Sequence, residues 1–391
     1  MTPRAYDTKS DIDAGDAVVL ARALIATPSV NPALEPTGSG EAEIAALTAG
    51  WLRSWGFDVE LVEAPPGRPS VLARHGDGDG PTLILNGHLD TVGVEEMVID
   101  PFDPVVRDGR LLGRGSADMK GGVAAALAAA RDATRDGYRG TLVIALTADE
   151  EVAGLGARRL VENGLMADGA VVCEPTSLDV MPAHKGFTWI ELTFRGRAAH
   201  GSRPERGVDA IRHAGLFLAR LGDLESALAE RTPHPLLGSG SVHAGTVRGG
   251  TAPSVYPAAC TLTLERRTLP GETGDTFRAE VELVLETLRS EVPTLDASLD
   301  VTLHRPGSEI AAEHRLVAAV TDAARSAGLR PATAGMSAWV EAVTFTEAGI
   351  PALCFGPGSI GDAHSADESV AVAEIHAAHS ALTALIGTYL S

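Results

Sequence analysis

Two kinds of apolar pattern divide the chain. Residues 14–26 and 41–54 carry apolar side chains at helical spacing, and the second stretch is closed by Gly56 ahead of a strand at 58–62. Further on come four short runs of apolar and β-branched residues, 82–85, 142–147, 170–173 and 352–355, which read as strands buried on both faces. Helical stretches at 123–133, 156–163 and 313–327 are interleaved with them, and the order strand, helix, strand predicts parallel βαβ units. After Lys185 the pattern changes. Residues 187–194 alternate like a half-exposed strand, a helix is predicted over 207–221, strand-like runs follow at 241–248 and 258–267, and a further helix at 273–290. Near His304 the first pattern resumes. The predicted architecture is an α/β, mostly parallel-sheet domain split into 1–185 and 304–391, with an inserted α+β domain at 186–303 built on an antiparallel sheet. No internal repeat or low-complexity linker interrupts it.

Composition narrows the partners. At 391 residues, 45% of them hydrophobic, the chain is globular and long enough for two compact units. A net charge of −20 argues against nucleic acid or an anionic membrane surface, because phosphate binding needs a basic excess. Cys173, Cys260 and Cys354 sit in apolar runs without C-x-x-C spacing, as buried free thiols in a reducing compartment do. The N-terminal segment is polar, without an apolar core of signal-peptide length, and no run approaches the roughly 20 apolar residues of a membrane helix. A cytoplasmic protein is expected.

The four buried runs share a feature at their carboxyl ends, where open α/β sheets collect ligands. They lead into His88 and Asp90, into Asp149-Glu150-Glu151, into Glu174, and into Gly356-Pro357-Gly358 with His364 soon after. An isolated DEE is the acidic first turn of a helix, but here donors recur at strand after strand. Asp118 adds a carboxylate flanked by glycines that permit a sharp turn and a close approach. Together His88, Asp118, Glu151, Glu174 and His364 supply the donor types for two zinc ions roughly 3.5–4 Å apart sharing one carboxylate. Asp90, two residues from His88 and on the same face, is a candidate to orient the imidazole.

The motifs GHLDTV (87–92), GRGSADMKGG (113–122), TADEEVAG (147–154), CEPTS (173–177), RAAHGSRPERGVDAI (197–211) and GPGSIGDAHSADE (356–368) resemble, in order along nearly the whole chain, those of the dizinc peptidases that include acetylornithine deacetylase, succinyl-diaminopimelate desuccinylase and the glutamate carboxypeptidases. The resemblance implies a zinc-peptidase catalytic domain with an inserted lid and dimerisation domain, two Zn2+ ions (Co2+ or Mn2+ substituting), and a homodimer. It implies that His88 and Glu174 hold one ion, Glu151 and His364 the other, and Asp118 both. Glu150 is then the general base, and His200 an oxyanion donor that reaches the site of the partner subunit. Arg267 is a holder of the substrate carboxylate, and Gly356 and Gly358 line the substrate pocket. Ser254 and Glu341 depart from the family pattern, which expects Asn and Asp, and bear on substrate contacts.

The implied reaction is metal-dependent hydrolysis of the amide bond of an N-acyl amino acid, a small-molecule substrate. A dipeptidase or glutamate-type carboxypeptidase acting on short peptides would use the same metals. From another class, a metal-binding scaffold would also keep the ligands, but it has no need of Glu150 beside them.

Overall fold

The computed structural model describes residues 9–76 and 78–391; residues 1–8, the start of the polar N-terminal segment from which no signal peptide is expected, lie outside them. The chain divides into two compact units. The first runs through Pro182 and takes up Glu309–Ala334 and Val340–Ser391; the second comprises Ala183–Ser308 and Gly335–Trp339.

A nine-stranded sheet runs in the order Asp58–Glu63, Pro69–Gly76, Thr141–Thr147, Thr82–His88, Gly169–Val172, Ala352–Cys354, Val180–His184 and Ser308–Glu309, with Thr333–Met336 paired to Val180–His184. Thr141–Thr147, Thr82–His88, Gly169–Val172 and Ala352–Cys354 are mutually parallel, so their carboxyl ends open along one edge. Register aligns those ends: His88 lies opposite Thr147, and Val172 opposite both Asn86 and Cys354. All four strands are buried on both faces, which is why they read as continuous apolar runs. The fold is thus α/β with a mixed, mostly parallel central sheet.

The Ala-rich helix Gly121–Asp136 packs against Ala17–Ile25 and Val372–Tyr389. Its start demands glycine, because a Cβ at Gly122 would collide with the carbonyl oxygen of Cys173. The helix expected over 14–26 starts later, as Ala17–Ile25, and a separate short helix, Lys9–Ala14, precedes it. Gly15 at φ +81 separates the two, and the Asp16 carboxylate caps the second by accepting from Val18 and Val19 N–H at 3.0 and 2.9 Å.

In the second unit four strands pair antiparallel in the order Ser241–Gly249, Ala259–Thr268, Gly186–Arg195, Asp296–Arg305. The central strand alternates, burying Ile190, Leu192 and Phe194 beneath helices Ala210–Glu230 and Gly274–Glu291. The first of these helices runs nine residues past the expected end, since Gly222 is tolerated inside it. The edge strand Asp296–Arg305 and the strand Pro69–Gly76 were not among the predicted elements.

Candidate metal centre

The first unit gathers His88, Asp118, Glu151 and His364 at the carboxyl edge of the sheet. His88 Nε2 lies 2.9 Å from Asp118 Oδ1, and His364 Nε2 lies 3.4 Å from Asp118 Oδ2 and 3.2 Å from Glu151 Oε2. One ligand atom each from His88, Asp118 and Glu151 fall within 4.8 Å of one another. Asp118 stands between both histidines because the turn Ser116–Lys120 is irregular: Gly115 enters at φ +76 and Asp118 itself has φ −121, ψ 95. His364 is held in the left-handed region at φ +59.

Electrostatics bring Glu150, Glu174 and Glu341 into the same cluster. Burial drives the Glu150 carboxyl well above its usual range; His88 pulls against it, and Glu174, Glu151 and Glu341 push the same way as burial. Glu174 is likewise pushed well up, first by burial and then by Asp118. Burial alone would strip the proton from His88, but its bond to Asp118 and the charges of Glu150, Asp118 and Glu174 hold it well above the ordinary histidine range. For His364, bonds to Asp118 and Glu151 do the same, to about 10. The set is rich in acceptors and short of cations, and Glu151 Oε1 is buried without a hydrogen-bond partner among the described residues. Divalent cations fit that imbalance.

Asp90 acts differently from expectation. His88 Nδ1 donates to the main-chain carbonyl of Asp90 at 2.8 Å, whereas the Asp90 carboxylate stands 3.8 Å away. That carboxylate instead accepts from the N–H groups of Glu150 and Glu151 at 3.1 and 3.2 Å and from Asn31 Nδ2 at 2.8 Å. The network continues inward: Asn31 also reaches Asp149 at 3.2 Å, Arg68 bonds Asp149 at 2.8 Å and grips Glu41 at 2.6 and 2.7 Å. Asp149, at φ +69, is the corner at which the strand turns into the Glu150-Glu151 pair.

The remaining candidates fall in several places. Gly356 packs against the main chain of Cys173 and Glu174 and exchanges hydrogen bonds with Thr176, and Gly358 lies against Ala117 with its N–H on Glu374 at 2.7 Å. Both therefore seat the loops that carry Glu174 and Asp118. Glu341, expected at the substrate, is 1% exposed, and its carboxylate accepts from Thr147 Oγ1 at 2.5 Å. His200 and Arg267 belong to the second unit. His200 Nδ1 pairs with Ser202 Oγ at 2.8 Å on an exposed turn whose Gly201 N–H bonds the carbonyl of Ser254. Arg267 bonds Glu265 at 2.8 Å and lies over the Phe187 ring at 5.3 Å. Sequence reasoning missed Asn31, Glu41, Arg68, Arg114 and Glu368; only Arg114 and Glu368 stood inside motifs already singled out.

The sequence profile of Peptidase family M20/M25/M40 matches residues 84–388. The chain is 35% identical over 359 residues to an acetylornithine deacetylase of Klebsiella pneumoniae, covering 89% of this chain and 91% of that one. It is 34% identical over 382 residues to an acetylornithine deacetylase of Proteus mirabilis, covering 95% and 96%. Among solved structures it is similar to aminopeptidase PepT of Bacillus cereus, with a TM-score of 0.79, 20% identity and 97% and 99% coverage. It is also similar to the Bacillus subtilis YXEP protein, a dinuclear metal binding peptidase, with a TM-score of 0.73, 17% identity and 97% and 98% coverage.

Proposed function

The chain belongs to peptidase family M20/M25/M40 and is therefore a hydrolase of amides, and from that premise we propose that it cleaves N-acyl amino acids at a dinuclear metal centre. The observation that carries this is the buried, carboxylate-rich cluster closed by His88 and His364 at the ends of the parallel strands. His88, Asp118 and Glu174 would hold one ion and Asp118, Glu151 and His364 the other. When bound, the pair supplies Lewis acidity that makes water nucleophilic near neutral pH and polarises an amide carbonyl.

Glu150 takes the proton of the attacking water and delivers it to the departing amine nitrogen. Its place supports that task, because it is buried next to the proposed ligand Glu151. Asp90 fixes the main chain on which Glu150 and Glu151 stand. His200 donates to the developing oxyanion and Arg267 receives the substrate carboxylate, a role its planar fork suits.

The second unit is in this reading a lid and dimerisation domain, and His200 of the partner subunit completes each site; a sedimentation mass of one chain would contradict that. Zinc is the proposed metal because imidazole and carboxylate donors suit it. A cytoplasmic location is supported by three cysteines that are all buried and free, and no described helix is long and apolar enough to cross a membrane. The deacylase reading stands above the peptidase one because the deacetylases share about a third of the sequence, whereas PepT, at 20% identity, shares the fold. Amine release from N-acetyl, N-succinyl and peptidyl amino acids with Zn2+ or Co2+ present tests it. Turnover of the acyl amino acids is expected; cleavage of peptides alone would reverse the ranking.

A further inference from the structure

Glu368 takes no part in the chemistry above, yet it is 1% exposed and both its oxygens are filled. Oε2 accepts from Arg114 Nη1 at 2.7 Å and from Gly115 N–H at 2.9 Å, while Oε1 accepts from the N–H groups of Ala117 at 2.9 Å and Asp118 at 3.1 Å. Three main-chain donors of the turn that carries Asp118 therefore end on one carboxylate. Arg114, 3% exposed, donates onward to the carbonyls of Gly93 at 3.1 Å and Ser365 at 3.4 Å. One buried pair thus ties together the loop after His88, the Asp118 turn and the segment that holds His364, four residues before Glu368. Charge-assisted bonds of this kind fix geometry strongly.

We propose that Glu368 and Arg114 are a positioning pair that sets the separation of Asp118 from His364, and with it the affinity of the metal position those residues share with Glu151. The proposal rests on the dinuclear reading. Metal affinity depends on ligands being held in place before the ion arrives, and a partner outside the ligand shell is typically worth about 10–100-fold. Asp118 and Glu368 are 250 residues apart in the chain, and their segments are also joined by the pairing of Arg110–Leu112 with Ser369–Ala371; the Glu368–Arg114 pair is the buried tie among these that ends on the Asp118 turn itself.

Glu368→Gln is the sharpest test, because its amide presents an NH2 to two N–H donors whichever way it is turned. Zn2+ or Co2+ alone is titrated into metal-free protein and followed by calorimetry and by Co2+ visible absorption. The wild type is expected to take two ions per chain, and Glu368→Gln to keep one at wild-type affinity and bind the other about 10–100-fold more weakly. Its one-ion Co2+ spectrum should match that of His364→Ala and differ from that of His88→Ala. A folded variant that binds both ions as tightly as the wild type overturns the proposal, and so does an equal loss at both positions, which a merely structural role would give. Should Glu368→Gln fail to fold, Arg114→Met retains the three main-chain bonds and should show a smaller loss confined to the same position; unchanged binding there overturns the proposal. A wild type that binds fewer than two ions sinks the dinuclear reading itself, and that result is read before any substitution is made.

Discussion

Adjacent residues Glu150 and Glu151 carry different work in this mechanism. Glu151 Oε2 is 3.2 Å from His364 Nε2, and in the proposed function Glu151 is a ligand, whereas Glu150, buried among carboxylates, is the proposed base. Glu150→Gln keeps the shape and removes the base, so kcat should fall by about 10²–10⁴-fold with metal content intact. Glu151→Gln should instead lose bound metal. Near-wild-type kcat in the first variant, or full metal content in the second, would assign the roles wrongly. That His88, Asp118, Glu151 and His364 come together was legible in the sequence because a metal centre needs a few donor types and strand ends display them in order. Their supports were not. Arg68 meets Glu41 and Asp149 across 27 and 81 positions, and Glu368 meets Arg114 across 254, so no local spacing announces them. Asp90 was legible as a residue of the site but not in its bond, since whether the carbonyl or the carboxylate faces His88 depends on the turn taken after the strand.

Elements position these residues through packing that can be perturbed without touching a ligand. At Gly122 the helix Gly121–Asp136 meets the end of Gly169–Val172, directly before Glu174, and there is no room for a methyl group. Gly122→Ala should destabilise the protein by about 1–3 kcal/mol in urea unfolding; unchanged stability would show that the contact relaxes freely. His184, at the end of Val180–His184, is fixed as a neutral ring. Its Nδ1–H donates to the Lys185 carbonyl at 3.0 Å, Nε2 accepts from Ser308 at 3.0 Å, and burial pushes its pKa down to about 4. The unfolded chain, titrating near 6.5, takes up the proton first. Stability from this residue is therefore complete above pH 6.5 and is lost as pH falls toward 4, by about 2 kcal/mol at pH 5. The wild type should lose that much more than His184→Gln between pH 7.5 and pH 5, and equal losses would remove His184 from the account. The parallel strands were readable as unbroken apolar runs, while the break at Gly15 and the edge strand Asp296–Arg305 were not. A single glycine seldom ends a helix without its cap, and an edge strand with only Ala297 and Leu299 fully buried carries little apolar signal.

At the scale of the whole molecule, the change from continuous to alternating apolar pattern near Lys185 coincides with the passage from the first compact unit to the second after Pro182. The return of Gly335–Trp339 to the second unit had no counterpart in that pattern, because five residues are too few to show a period. The strong negative charge of the chain agrees with a protein that collects divalent cations, and much of its buried charge converges on the edge of one sheet. Elemental analysis of zinc-reconstituted protein reads out whether that convergence is a dinuclear centre. Two zinc ions per chain are expected in the wild type, falling in both His88→Ala and His364→Ala. A wild type holding one ion or none, or a content of two that neither substitution lowers, would contradict it.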